Sequence, residues 1–105
     1  MPYYPQTPGI YPYTTATSVS TVVAYTTVNT TFLAANANRR GGMIYNNNNV
    51  NLLIKLGANI ALGAPTLVIP AGGYYEVPYG WTGIIDGAWN ASGNTGGAWV
   101  TELTA

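Results

Sequence analysis

Hydrophobic and polar residues alternate over short stretches of this chain, and many of the hydrophobic positions hold β-branched or aromatic residues. The first such stretch is residues 18–28, SVSTVVAYTTV, in which both alternating faces carry β-branched residues. This density of β-branched residues predicts a strand. Since both faces are partly apolar, we expect the strand to be covered on both sides or to lie between subunits.

Further short apolar stretches follow, separated by Gly, Pro and Asn residues. Phe32 and Leu33 form a short buried segment, and further strands are predicted at 43–45, 52–56, 66–69, 74–77, 82–89 and 98–103. In the strand 52–56, Leu52, Ile54 and Leu56 share one face, while Leu53 and Lys55 share the other. No segment of helical length repeats apolar residues at three- and four-residue spacing without Gly or Pro, so we expect little helix.

Three segments are predicted to be turns: 36–42, 46–49 and 70–73. The last two each separate two short strands, which predicts two hairpins, 43–45 with 52–56 and 66–69 with 74–77. The segment 46–49 consists of four consecutive asparagines, which suit a turn because Asn tolerates positive φ.

A chain of 105 residues is expected to form one domain, near the lower size at which a single core supports folding. Several short strands at this spacing predict an all-β fold, a small β-sandwich or jelly-roll-like domain, with a small barrel as the other option. We assign this compact β-domain to residues 29–105. Residues 1–28 are predicted to form an extended N-terminal arm together with the first strand.

The arm is defined by its proline and tyrosine content. Residues 1–17 contain four of the seven prolines and four of the nine tyrosines, namely Tyr3, Tyr4, Tyr11 and Tyr13. Proline favours extended backbone, and aromatic side chains are typical of interface cores. A disordered terminus is the alternative. Because disordered tails are usually poor in aromatic residues, we predict an arm that becomes ordered against a partner.

Charged residues make up 6% of the chain, against about 25% in typical soluble domains, and the net charge is zero. Little electrostatic repulsion therefore opposes self-association. Three Lys and Arg residues are too few for phosphate-based binding, so nucleic acid is not an expected partner. No basic, apolar signal segment begins the chain, and no window reaches the roughly 18 apolar residues of a membrane helix. We expect a soluble protein made in the cytoplasm, without a membrane partner.

The chain contains no histidine and no cysteine, so it lacks the usual ligands of zinc and the usual bases with a pKa near neutral. The carboxylates Glu76, Asp86 and Glu102 lie on three different predicted strands and could converge as a glycosidase pair. A minimal hydrolase using Glu76 and Asp86 is the weakest hypothesis, because pairing with Arg39, Arg40 or Lys55, or solvation, is the more common fate of such residues. No dense acidic loop suggests calcium. We expect no enzyme, no metal and no cofactor.

The aromatic residues allow two interpretations. Trp81, Trp89, Trp99 and the tyrosines could form a platform on which sugars stack, or they could fill the core and the subunit interfaces. In so small a chain the second interpretation is favoured, because large aromatic side chains contribute most of the buried area.

Six short motifs carry a resemblance to a known family: NANRRG at 36–41, IYNN at 44–47, LLIKLG at 52–57, PAGGYYEVP at 70–78, GIIDGAW at 83–89 and VTE at 100–102. Together they span about two thirds of the chain, which resembles a small virion-protein pattern of tailed bacteriophages. The resemblance implies a compact β-domain built into phage particles, a capsid cement or decoration protein on the capsid exterior. A tail or fibre component with a glycan- or receptor-binding β-module is the alternative.

The partners expected from this resemblance and from the composition are the major capsid protein and further copies of the chain, as a homodimer or homotrimer. Arg39 and Arg40 are expected to position acidic groups, either Glu76 or Glu102 or carboxylates of the capsid protein. The predicted protein-interaction residues are Tyr3, Tyr4, Tyr11, Tyr13, Arg39, Arg40, Tyr74, Tyr75, Glu76 and Trp81.

Overall fold

Eight β-strands and no helix form within residues 17–105, the part of the chain that the computed structural model describes. The strands are β1 (Thr17–Val23), β2 (Thr30–Leu33), β3 (Arg39–Asn46), β4 (Leu52–Leu56), β5 (Leu67–Ile69), β6 (Tyr74–Val77), β7 (Ile85–Trp89) and β8 (Ala98–Thr104). The predicted all-β class is confirmed. Tyr3, Tyr4, Tyr11 and Tyr13 of the predicted arm lie outside the described residues, whereas β1 falls within the segment 1–28.

The eight strands form two four-stranded sheets, with the order β1-β8-β3-β6 in the first sheet and β2-β7-β4-β5 in the second. The pairs β1–β8, β2–β7, β3–β6 and β4–β5 are all antiparallel. The chain therefore folds back on itself between β4 and β5, as one long hairpin in which the first four strands pair in reverse order with the last four. The pairs β3–β8 and β4–β7 roll this hairpin into two sheets. Two sheets with these connections make a jelly roll, one of the predicted architectures.

The two predicted hairpins are wrong. β3 belongs to the first sheet and β4 to the second, so the asparagine segment crosses between the sheets. The segment 70–73 likewise crosses from β5 in the second sheet to β6 in the first. A connection of a few residues can reverse the chain within a sheet or bridge the roughly 10 Å between two packed sheets. The residues of such a connection do not reveal whether the chain reverses within one sheet or crosses to the other.

β3 begins earlier than expected, because Arg39 to Gly42 belong to this strand and not to a turn. Its register with β8 shifts between Arg39 and Gly41, which is a β-bulge. A Cβ atom at Gly42 would lie 2.8 Å from the carbonyl oxygen of Thr101 on β8. The glycine therefore permits close approach of two strands, a role that the sequence does not distinguish from a turn.

The core lies between the two sheets and is almost entirely aliphatic around one tryptophan. It consists of Phe32, Leu33, Ile44, Leu52, Ile54, Ile69, Val77, Ile85, Trp89, Ala98 and Val100. Leu52 and Ile54 occupy the face that their alternation predicts. Trp89 is fully buried, and the centroid of its ring lies 5.7 Å from that of Phe32 and 5.6 Å from that of Tyr25. Burial of these apolar surfaces is the main stabilising contribution.

The asparagines at 46–49 act through their side chains. The buried Asn46 donates to the carbonyls of Val50, at 2.8 Å, and Ile69, at 2.9 Å, and accepts from Trp89 Nε1, at 2.9 Å. Asn48 donates to the carbonyl of Asn94 in the β7–β8 connection. Within residues 17–105, the non-glycine residue with positive φ is Asn59, so the predicted use of left-handed backbone at 46–49 is wrong. These amides instead satisfy buried backbone groups where the chain crosses between the sheets.

Candidate functional site

Part of the outer face of the second sheet is covered by the chain itself. Leu53 and Ala88 point away from the core on β4 and β7, yet both are buried. The connection between β4 and β5 returns over this face, where the backbone N–H of Asn59 donates to Asp86 Oδ2 at 2.7 Å. The second sheet therefore offers no comparable open surface at these positions.

The outer face of the first sheet carries a row of four large side chains. Val22 of β1, Trp99 of β8, Tyr45 of β3 and Tyr74 of β6 are opposite one another in register. Val22 is 71% exposed, Tyr74 66% and Trp99 54%. Since side chains alternate between the two faces of a sheet, all four point away from the core. The row crosses all four strands and is open to solvent.

Two shallow depressions lie beside this row. The first has a volume of about 370 Å³ and is lined by Met43, Tyr45, Tyr74, Glu76 and Trp99. The second, of about 270 Å³, is lined by Gly41, Gly42, Met43, Glu76, Val77, Thr101 and Leu103. They share Met43 and Glu76, so they lie side by side on this face. The aromatic face is defined here as Val22, Met43, Tyr45, Tyr74, Glu76 and Trp99.

The aromatic face is nearly uncharged. Glu76 is the one charged residue among those that line the two depressions. The rings of Tyr45 and Trp99 lie with their centroids 4.9 Å apart and an interplanar angle of 30°. Such a surface suits a flat apolar partner that places a cationic or hydrogen-bond-donating group opposite Glu76.

The predicted interaction residues of β6 lie on two different faces. Tyr74 and Glu76 belong to the aromatic face. Tyr75 points inward opposite Ile44 and packs against the core, and desolvation by burial raises the pKa of its phenol above the usual value. Trp81 is half-buried against the core, and its Nε1 lies 3.4 Å from the carbonyl oxygen of Ile84.

Arg39 lies inside the domain, only 1% exposed. Its Nε lies 2.9 Å from Glu102 Oε2, so of the carboxylates proposed for it, Glu102 is the one it contacts. Its terminal nitrogens donate to the carbonyls of Ala34, Trp81 and Gly83. Arg39 thus joins β8 to two connecting segments of the chain.

The neighbouring Arg40 behaves differently. It is half-buried, and its Nε has no hydrogen-bond partner among the described residues. The two arginines, adjacent in the sequence, therefore lie in unlike environments. A position next to a β-bulge gives the two side chains different directions.

The carboxylates do not converge. Asp86 faces the outside of the second sheet and accepts hydrogen bonds from Asn29, Thr31 and the backbone of Asn59. Glu76 lies on the outer face of the first sheet. The two carboxylates proposed for a hydrolase are therefore separated by the thickness of the sandwich and cannot flank one bond.

Two further features of residues 17–105 concern metal binding and membrane insertion. This part of the chain contains no group of three or more His, Cys, Asp or Glu residues that could hold a metal ion. It also has no helix long and apolar enough to span a membrane. Within the described residues, the aromatic face is therefore the candidate functional site.

Four residues of the aromatic face are missing from the interaction residues predicted from the sequence: Val22, Met43, Tyr45 and Trp99. The sequence signal that could have identified them is the alternation of side chains between the two faces of a strand. Since Ile44 and Val100 read as core residues, Tyr45 and Trp99 must point to the opposite face. Their assembly into a row depends on the strand order, which alternation does not reveal.

No family model, curated protein or solved structure matches this chain. The jelly roll occurs in viral capsid proteins, lectins and cupins, and a fold shared so widely does not define a function. The function is therefore inferred from the aromatic face, the charge pattern and the sequence motifs.

Proposed function

We propose that this protein is a structural component of tailed-phage particles, a capsid cement or decoration protein that binds the lattice of the major capsid protein and stabilises the head. The observation that carries this proposal is the uncovered aromatic face. The motifs between residues 36 and 102 that resemble small phage virion proteins support it. The jelly roll supports it by analogy, because viral capsid domains use the same architecture.

The aromatic face has the chemistry of a protein-binding surface. Tryptophan and tyrosine are enriched among the residues that contribute most to binding energy, and contiguous exposed apolar surface commonly marks an interaction site. A low net charge leaves little long-range repulsion between this protein and a lattice. The capsid surface that fits it is flat and apolar, with a lysine or arginine opposite Glu76.

The proposed capsid partner also determines where the protein would be located. The protein would be made in the host cytoplasm and would sit on the capsid exterior, where it bridges neighbouring capsid subunits. Binding to the assembled lattice, and not to the unfolded subunits, stabilises the assembly by mass action. A repeated lattice also lets modest individual contacts add up over many copies.

Replacing Trp99 with alanine tests the proposed attachment. Loss of a central tryptophan from an interface is expected to cost about 2 kcal/mol or more, or roughly thirtyfold in Kd. The measurement is co-sedimentation of the full chain with capsids that lack it. Val68→Ala is the matched control, since Val68 is 48% exposed on the second sheet and should leave binding unchanged. Equal binding by Trp99→Ala and wild type would refute attachment through this face.

The copy number in purified particles separates a head protein from a tail protein. Quantitative mass spectrometry should find on the order of hundreds of copies per particle if the protein decorates the lattice. A few to a few dozen copies would instead place it in the tail or at a single vertex.

A tail or fibre component that binds glycans is the second candidate, and the paired rings of Tyr45 and Trp99 favour it. Exposed aromatic rings can stack on the apolar faces of sugars, and Glu76 can accept hydrogen bonds from hydroxyl groups. Trp89 is buried and Trp81 half-buried, so the platform would be built from Trp99 and Tyr45. Binding on a glycan array that disappears in Trp99→Ala would favour this candidate, and an array without signal would remove it.

A further inference from the structure

β1 is an edge strand, and no other element among residues 17–105 covers either of its two faces. Its first six residues are exposed and only Val23 is half-buried. Val19, which points toward the sandwich side, is 52% exposed, and Val22 on the opposite face is 71% exposed. The strand is therefore held mainly by its backbone pairing with β8, along seven residue pairs from Thr17 to Val23. It contributes little to the core.

The other three edge strands carry features that block pairing with a further strand. β2 has an irregular register between Thr31 and Leu33. β5 has three residues and is followed by Pro70. β6 has four residues, includes Glu76 and is followed by Pro78. Short length, charge, proline and bulges are the devices by which proteins protect open sheet edges.

β1 has none of these devices. Its sequence, TSVSTVV, contains no charge, proline or glycine, and it pairs with β8 in unbroken register. No second strand pairs with it among residues 17–105. A long, regular, β-branched edge with two exposed faces is a template for strand pairing. Such an edge indicates that another strand covers it in the working protein.

We propose that β1 pairs antiparallel with β1 of a second copy around a two-fold axis at Ser20, so that the two first sheets join into one eight-stranded sheet. A two-fold interface requires a surface that complements itself. With Ser20 opposite Ser20, Val19 lies opposite Thr21 of the second copy, which gives cross-strand pairs of β-branched residues. No charged residue of β1 meets its own copy, so no like-charge repulsion opposes the pairing.

This pairing does not depend on the proposed function, but it has a consequence for it. The two-fold axis stands perpendicular to the joined sheet, so the outer faces of both first sheets point in the same direction. A dimer then presents two aromatic faces side by side. If the capsid is the target, one dimer binds it at two points, which raises the overall affinity through effective concentration.

Opposite charges at Ser20 test the register and the symmetry together. In the full chain, Ser20→Lys alone and Ser20→Asp alone place like charges against each other and are expected to weaken dimerisation at least about tenfold. An equimolar mixture of the two variants is expected to recover the dimer as a mixed species. Native mass spectrometry distinguishes the species, since the wild-type dimer has about twice the 11.1 kDa mass of the chain.

The matched controls are Val68→Lys and Val68→Asp, which place the same charges on the exposed edge strand β5. They should leave the dimer unchanged. Circular dichroism checks that all four variants retain the β-fold. A wild-type monomer or trimer, dimerisation unaffected by Ser20→Lys, or a mixture that fails to recover the dimer would each overturn the proposal.

Discussion

Replacing Arg39 with methionine is expected to lower the free energy of unfolding by about 3 to 5 kcal/mol, a large share of the total stability of a small domain. The substitution leaves Glu102 without its ion-pair partner at 2.9 Å. It also removes the donors to the carbonyls of Ala34, Trp81 and Gly83, which hold two connecting segments. Urea denaturation followed by circular dichroism measures the change.

Three further variants separate the contributions to this loss. Arg39→Lys keeps the charge but cannot span four acceptors, so it should recover only part of the stability. Arg39→Met combined with Glu102→Leu removes the carboxylate left without its ion-pair partner. The remaining deficit then measures the unpaired carbonyls together with the amide of Asn36, which donates to Glu102 Oε1 at 3.3 Å. Arg40→Met is the matched control and is expected to change stability by less than about 1 kcal/mol. Equal losses for Arg39→Met and Arg40→Met would contradict a specific role for the buried Arg39.

Replacing Trp89 with alanine is expected to cost about 3 to 5 kcal/mol, because it empties the centre of the core. Trp89 is fully buried and packs against Phe32 and Tyr25. The substitution also strands the side-chain oxygen of Asn46, which accepts from the indole N–H. Thermal and urea denaturation should both report the loss.

Two controls give this prediction its meaning. Trp89→Phe keeps a ring but loses the hydrogen bond to Asn46, so its cost should be intermediate, about 1 to 3 kcal/mol. Trp99→Ala removes an equally large but exposed residue and should cost about 1 kcal/mol or less, from the lost contact with Tyr45. The comparison would thus distinguish a tryptophan needed for stability, Trp89, from one available for binding, Trp99. Similar losses in Trp89→Ala and Trp99→Ala would mean that the aromatic face is part of the folding core.

Local patterns in the sequence predict the strands well, because alternation and β-branched residues act over a few residues. The segments at 52–56 and 74–77 coincide with β4 and β6. The two predicted hairpins are wrong because strand pairing is determined by packing across the whole molecule. Ile44 and Leu52 face the same core from opposite sheets, and the neighbouring sequence contains no signal for this arrangement.

The same limit applies to the functional surface. The sequence places Tyr74 and Glu76 among the interaction residues, and they do share the aromatic face. In the sequence Arg39 looks like an exposed turn residue, because the arginine pair precedes two glycines, yet its side chain is buried next to the β-bulge. The row formed with Trp99 depends on β8 lying between β1 and β3, a pairing that joins distant parts of the chain.

The central position of β8 also determines when the protein can fold during its synthesis. β8, residues 98–104, lies between β1 and β3, so the first sheet has a gap until this segment has left the ribosome. The second sheet needs the chain only as far as Trp89. Pairings between such distant segments form slowly, because a large loop must close before any contact compensates. We expect the first sheet to form only once β8 has been synthesised, with β1 the last strand to pair.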